Sequence, residues 1–271
     1  MTKLDLKALS KKNYSQSKIC MEQSKKAFDI YSKYYNLIYH KKSYKAEVNY
    51  IHKLISNFNL NKKNILEFGS GTGKHAKFFV RKGYTVHGIE KSKSMVANCE
   101  KIKGFTFQNG DACKIKLSKK YDIVLSLFHV LSYQISEINI NDFFKNARYH
   151  LKSNGLFGFD FWYTKAVKAQ KSHTRLIELK NKDFKLIRLA QPSKDYSKNT
   201  INVNYTIILK NLKNNLVNVI KENHKMRHFS LSDLSRLCKK YRFKCLNIRE
   251  LVSNNKPSNN TWGIFCLLKK Y

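Results

Sequence analysis

Three acids and a run of glycines carry the chemistry that this sequence suggests. Residues 64–79 read NILEFGSGTGKHAKFF, and a chain with only 10 glycines places three of them at Gly69, Gly71 and Gly73. The apolar pair Ile65 and Leu66, ending in the acid Glu67, comes just before; a helix-like run follows from Lys74 to Arg81. A strand, a glycine-rich turn and a helix in that order form a nucleotide-binding crossing point. Glycine lets the backbone turn sharply and lets a ligand come close where a Cβ would clash. The turn is not a phosphate loop, because Lys74 is followed by His75 rather than Ser or Thr. Nor is it the dinucleotide fingerprint, whose glycines are spaced G-x-G-x-x-G. Here the spacing is G-x-G-x-G, with a carboxylate two residues before the first glycine. A pyrophosphate needs bare helix N–H donors, and Glu67 would repel it. A ligand with a cationic amino group or a sulfonium would be welcome beside that acid. Glu90 ends the next strand-like run, YTVHGIE, where an acid can accept both ribose hydroxyls and disfavour a 2′-phosphate. NGDACKI then places Asp111 just after a third strand, where its carboxylate can accept from an adenine amino group.

The elements that position these acids alternate. Strand-like runs fall at Asn64–Phe68, Thr85–Ile89, Phe105–Gln108, Ile123–Leu127 and Leu156–Phe161, with helix-like runs at Gly73–Arg81, Ser92–Glu100 and Asn141–Leu151. This alternation predicts an α/β fold: a Rossmann-like, mostly parallel seven-stranded sheet with helices on both faces. Ser92 has the position of a helix N-cap. After Phe161 the pattern changes. RLIELKNKDFKLIRLAQ and TINVNYTIILKNL alternate apolar with polar residues across PSKDYSKN, and NLVNVIKENHKMRHF continues the alternation. These segments predict an antiparallel β insertion late in the chain. One more helix, opened by Ser230 or Ser232, and two last strands complete the chain. Residues 1–20 read as a flexible polar arm. From Met21 to Phe58 the apolar residues recur at helical spacing, which predicts two helices joined near His40–Ser43. The expected organisation is therefore an arm over 1–20, covering helices over 21–60, a ligand-binding domain over 61–163 and 228–271, and a substrate-capping insertion over 172–227.

Taken in order, the motifs resemble those of class I S-adenosylmethionine-dependent methyltransferases over residues 60 to 160. E-x-G-x-G-x-G is similar to their first motif, Glu90 to the ribose acid, Gly110-Asp111-Ala112 to the adenine contact, and YDIVLSLFHVLSYQ to the fourth motif. The resemblance implies S-adenosylmethionine as cofactor and S-adenosylhomocysteine as product. It implies cofactor contacts at Glu67, Gly69, Ser70, Gly71 and Gly73 in the turn. Further contacts are implied at Glu90, Lys91 and Met95, at Asp111 and Ala112, and at Tyr39 and Phe128. The flank YYNLIYHKKSYKAEVNYI resembles the cofactor-covering helices of nucleotide-linked aminosugar N-methyltransferases and of glycine-N-methyltransferase-like enzymes. In the aminosugar enzymes a catalytic His follows the fourth strand; here that position is Tyr133.

Methyl transfer from a sulfonium is an in-line displacement, so the protein mainly aligns the reactants and excludes water. An oxygen acceptor also needs a general base, whereas an amine needs only to be deprotonated. Candidates lie beyond the C-terminal strand ends, where open parallel sheets bind ligands. Tyr133 and His224 are the expected catalytic pair. Tyr35, His129, Gln134, Asp160, Trp162, Tyr163, Arg227 and Trp262 are the expected acceptor contacts, with Arg227 poised to grip a phosphate as a two-donor fork.

The net charge of +35 invites a polyanion partner. Of the 53 basic residues, however, eight are Arg and 45 Lys, spread along the whole chain among many Asn and Ile. That pattern is a residue-usage bias rather than a built patch. Six Cys form no C-x-x-C pair, and no His spacing completes a metal site, so no metal is expected. Unpaired thiols suit the cytoplasm, and no run approaches the ~20 apolar residues of a membrane span. The sequence thus predicts a methyltransferase acting on a small molecule, a sugar or nucleotide-linked precursor of a surface glycan or capsule, working as a monomer or homodimer. O-methylation of another phosphorylated or acidic metabolite is the alternative within enzymes. An RNA-binding protein or RNA methyltransferase using the basic surface is the alternative of another class.

Overall fold

The computed structural model describes residues 19–24, 32–58, 63–195 and 197–271. The chain opens with strand β1 (Ile19–Ser24) and helices α1 (Ser32–Ile38) and α2 (Tyr44–Ser56). Strand β2 (Asn64–Phe68), α3 (Lys74–Arg81), β3 (Thr85–Glu90), α4 (Lys93–Ala97) and β4 (Phe105–Asn109) follow. Next come β5 (Tyr121–Ser126), α5 (Glu137–His150), β6 (Leu151–Trp162) and α6 (Thr164–Ala169). The insertion supplies β7 (Arg175–Lys180), β8 (Phe184–Asp195), β9 (Thr200–Asn211) and β10 (Val217–Arg227). The chain closes with α7 (Leu231–Lys240), β11 (Phe243–Glu250) and β12 (Gly263–Lys270).

Seven strands form one sheet in the order β11-β12-β6-β5-β2-β3-β4. β2, β3, β4, β5 and β6 pair in parallel, while β12 runs antiparallel to both β6 and β11. Period-two alternation divides the core between the two faces. Ile65, Ile123 and Leu125 meet Val48, Ile51 and Ile55 of α2 and Phe79 of α3 on one face. Leu66, Phe68 and Val124 meet Phe143 and Phe144 of α5 on the other. The residues at 48, 51 and 55 recur at helical spacing on one stripe, which is why α2 seals this side of the sheet. Ser136 caps α5 through Asn139 N–H, and Ser230 with Asp233 forms a capping box on α7.

The insertion is an antiparallel meander of β7, β8, β9 and β10, as the alternation predicts. β8 extends through Pro192, which the sequence placed in a connection. β7 pairs with β8 only as far as Ala190, so at Pro192 β8 keeps a neighbour on one side only, β9, the edge setting in which a strand tolerates proline. A fifth strand was not foreseen: β1 adds in parallel to β10, from Ile19↔Val217 to Ser24↔Glu222. The expected arm over 1–20 lies outside the described residues except for Ile19 and Cys20. The helical reading from Met21 is corrected, because Met21–Ser24 belong to β1. The turn between α1 and α2 falls at His40–Ser43, where the helical spacing breaks. Among the described residues no helix is long and apolar enough to cross a membrane.

Candidate active site

The chain leaves β2 toward β3 on one side of the sheet and returns at β5 on the other, so a crevice opens beyond the carboxyl ends of β2 and β5. A cavity of about 730 Å³ occupies it. The glycine turn forms its floor. Gly69 and Gly71 have φ of +70° and +57°, the left-handed region that glycine enters without strain. A Cβ on Gly69 would press within 2.5 Å of Val130, whereas a Cβ on Gly71 would meet no protein atom within 4 Å and would project into open space. Both line the cavity. Gly73 and Ser70 do not. Gly73 precedes α3, against the Phe105 ring, and Ser70 packs on Gly88. These two shape the turn instead of touching the cavity.

Glu67 stands behind the turn, 1 % exposed. Burial, with the nearby Glu90 charge adding to it, pushes its carboxyl from the ordinary 4.5 up to about 8. Oε1 lies 3.8 Å from Nδ1 of His75, and Oε2 is buried with no hydrogen-bond partner among the described residues. His75 in turn holds Glu47 at 2.7 Å, and Glu47 holds Lys42. Burial opposes ionisation of Glu47, but His75 and Lys42 outweigh it and hold the carboxyl down at about 2. The Lys42 ammonium lies 4.4 Å from the centre of the Phe128 ring.

Glu90 and Asp111 lie on the cavity wall. Glu90 accepts from Gly71 N–H at 2.9 Å and Ser92 N–H at 2.7 Å, and burial still raises its carboxyl above the ordinary range. The Lys91 N–H also favours its ionised form, so the backbone engages most but not all of the about four acceptor sites that a carboxylate has. Asp111 accepts from Cys113 N–H and from the Lys91 ammonium, at 2.9 and 2.8 Å. Burial would raise its carboxyl, and these donors hold it below its usual value. Ser92 caps α4 by accepting from Met95 N–H, which brings Met95 to the wall beside Ala112. Tyr35, Tyr39 and Phe128 form an aromatic side, with Tyr39 edge-on to Phe128 at 5.1 Å. Thr72 donates to Asn36 at 2.7 Å and ties α1 to the glycine turn.

The far end of the cavity is built from the loop after β5 and from the insertion. Phe128 and His129 both have φ of +64°, two consecutive non-glycine residues in the left-handed region. Such strain persists only when the surroundings hold it, and it concentrates at functional sites. Asp160 supplies the hold: Oδ1 accepts from His129 N–H at 3.0 Å, and Oδ2 stands 3.0 Å from Nδ1 of the same residue. Asp160 is therefore off the wall and fixes His129, which is on it together with Gln134 and Trp162. Tyr133 and His224, 91 residues apart, meet here: Tyr133 Oη is 2.8 Å from His224 Nδ1. Nε2 of His224 is 3.1 Å from Glu222 Oε2. Tyr205 packs edge-on to His224 at 4.8 Å, over the Arg188 guanidinium, and burial raises its hydroxyl above the ordinary range.

Besides Asp160, three expected acceptor contacts lie elsewhere. Arg227 donates to Ile135 C=O at 3.2 Å and to Glu137 at 2.6 Å, so its fork ties β10 to the start of α5 instead of facing the cavity. Tyr163 is buried in the core with Phe161 and Phe229. Trp262 backs Trp162 at 5.8 Å without reaching the wall. Glu222, Tyr205 and Met226 were missed. The signal available for Glu222 and Met226 is the alternation of buried Ile220, Glu222, His224 and Met226 along β10.

Comparison with known proteins agrees with this geometry. Residues 65–155 match the methyltransferase domain family. A Streptomyces venezuelae protein named dTDP-3-amino-3,4,6-trideoxy-alpha-D-glucopyranose N,N-dimethyltransferase is 24% identical over 136 residues, 50% of this chain and 56% of that protein. The chain thus spans about half the length of this curated relative. An S-adenosylmethionine-dependent methyltransferase structure from Clostridium acetobutylicum superposes with a TM-score of 0.76 at 18% identity, covering 89% of this chain and 97% of that one. The S-adenosylmethionine-bound amino pentose methyltransferase CalS10 of Micromonospora echinaspora superposes with a TM-score of 0.73 at 13% identity, covering 92% and 100%. Family match, sheet order and glycine turn converge on the same stretch: residues 65–155 are similar to the methyltransferase domain family.

Proposed function

We propose that this chain transfers a methyl group from S-adenosylmethionine to a small molecule, a sugar or nucleotide-linked sugar of the kind that precedes a surface glycan or capsule. The observation that carries this reading is the buried carboxyl of Glu67 behind a G-x-G-x-G turn, its Oε2 without a hydrogen-bond partner among the described residues, with Glu90 and Asp111 on the wall of the 730 Å³ cavity that the turn floors. The residues fit the cofactor. Glu67 Oε2 has an open valence where a cationic amino group would sit, and the bare face of Gly71 leaves space where any side chain would intrude. When bound, S-adenosylmethionine supplies an electrophilic methyl on a sulfonium.

The chain's own residues do the rest. Glu90 receives the ribose diol, and Asp111 the adenine amino group. Tyr35, Tyr39 and Phe128 close one side against water, which keeps the electrostatics of the site strong. Tyr133 and His224 face the acceptor and hold the proton it must lose. The amino-sugar substrates in the names of the Streptomyces and Micromonospora proteins support a sugar acceptor. Free cysteines at 99, 113, 238, 245 and 266 support a reducing compartment, the cytoplasm. The test is transfer of radiolabelled methyl from S-adenosylmethionine to a panel of nucleotide-linked sugars and amino sugars, with bulk tRNA and rRNA as competitors. Turnover on a sugar nucleotide supports the reading. Transfer confined to RNA overturns it.

A further inference from the structure

We infer that Glu222 is a positioning residue that fixes the His224 tautomer and makes Glu222–His224–Tyr133 a proton relay ending at the acceptor. The inference rests on the methyl-transfer reading above and extends it to a residue that lies off the cavity wall. β10 points Ile220, Glu222, His224 and Met226 inward and the residues between them outward. An acid and a base, 4 % and 1 % exposed, thus take places that apolar side chains would fill more cheaply.

Their geometry is directional. A carboxylate only accepts, so the 3.1 Å contact from Glu222 Oε2 requires the proton to sit on Nε2 of His224. The neutral ring then offers the Nδ1 lone pair, and Tyr133 Oη, 2.8 Å away, donates to it. Tyr133 lines the cavity; Glu222 does not. A phenol alone is a weak base near neutral pH, with an ordinary pKa near ~10. Backed by an imidazole whose positive form a buried carboxylate stabilises, it can take a proton as its own leaves. The balance is complete. The acceptor's heteroatom bonds the methyl carbon as the S–CH₃ bond breaks and leaves its electron pair on sulfur. The acceptor proton passes to Tyr133 Oη, the phenolic proton passes to His224 Nδ1, and the resulting imidazolium is paired with Glu222. Product release and solvent return the proton.

Nitrogen-15 histidine spectra read the tautomer without any acceptor, with the His224 signals assigned by their loss in His224→Asn. The expected result in the wild type is a single Nε2–H tautomer. In Glu222→Gln the amide can turn its NH₂ toward Nε2, and the signals should move to the Nδ1–H pattern; Glu222→Asp should restore the wild-type pattern in part. Both variants should bind S-adenosylhomocysteine with wild-type affinity by calorimetry. With a dTDP-linked 3-amino sugar as the acceptor probe, Glu222→Gln should lose about 10²-fold in kcat with the donor KM unchanged. An Nδ1–H tautomer in the wild type overturns the relay, as do unchanged spectra in Glu222→Gln. Failure of the wild type to bind S-adenosylhomocysteine would instead overturn the methyl-transfer reading, whatever the tautomer.

Discussion

Replacing Glu67 by Gln should make the ligand-free protein gain stability relative to the wild type as the pH rises, and make its donor site worse. The carboxyl is fully enclosed, and its folded-state value of about 8 stands above the ordinary 4.5. A carboxyl raised in this way binds its proton more tightly folded than unfolded. Its contribution to stability is therefore complete below pH 4.5 and is lost as the pH rises through 8. Between pH 5 and pH 7.5 the loss runs at 1.36 kcal/mol per pH unit, or about 3 kcal/mol. The amide of the variant has no such titration, while every other group is common to the two proteins. The difference in unfolding free energy should therefore move in favour of Glu67→Gln by about 3 kcal/mol across that interval, whatever its value at the acid end. Urea unfolding at the two pH values, with equal m in both proteins, measures it. A difference that stays constant with pH, or moves the other way, refutes the reasoning. The same variant should bind S-adenosylmethionine more weakly, because a neutral amide cannot balance an ammonium. In the wild type, binding should release protons, visible as heats that change with the ionisation enthalpy of the buffer.

Gly71→Val should abolish donor binding by calorimetry, since the new side chain would enter the cavity from a backbone at φ +57° that valine also resists. Glu90→Ala should weaken donor binding by roughly 1.5–3 kcal/mol. It should also lower the melting temperature, because Gly71 and Ser92 N–H lose their acceptor. Tyr133→Phe and His224→Ala should each cut methyl transfer by ~10²-fold or more with donor affinity intact, within the reach of general acid–base catalysis. Loss of donor binding in Tyr133→Phe would move that residue to the cofactor end. Arg227→Lys should leave the acceptor KM unchanged and cost about 1 kcal/mol of stability, because its fork joins Ile135 and the exposed Glu137.

The glycine-turn end of the cavity was legible because its signals are local. The three glycines, Glu67 before them and Glu90 at the next strand end lie within 24 residues of one another, and each strand–helix step leaves its own periodicity. Ser92 reads as a cap because its partner, Met95, is three residues on. The far end of the cavity is assembled across the chain. Tyr133 and His224 could be named as candidates by type and place, but Glu222 gains its meaning only when β10 turns it inward beside His224. β1 was hidden for the same reason: Ile19–Ser24 is a strand because β10, far along the chain, offers it an edge. Arg227 misled through its rarity. Residue type says that a fork will bind something, and only the fold shows that Glu137 and Ile135 are what it binds. Asp160 stands where a substrate contact was expected, but the strained turn at Phe128–His129 uses it for support.

In the proposed reading one cavity holds the methyl donor, with Glu90 and Asp111 on its wall and Glu67 behind the glycine turn, and opens toward Tyr133 and His224. A crystal structure of the S-adenosylhomocysteine complex tests it most directly. The amino-acid portion of the ligand should lie over Gly69–Gly71 with its ammonium toward Glu67, the ribose hydroxyls on Glu90, the adenine amino group at Asp111, and the sulfur facing the Tyr133 side of the cavity. Ligand bound outside this cavity, or within it but with Glu67 and Glu90 untouched, would contradict it.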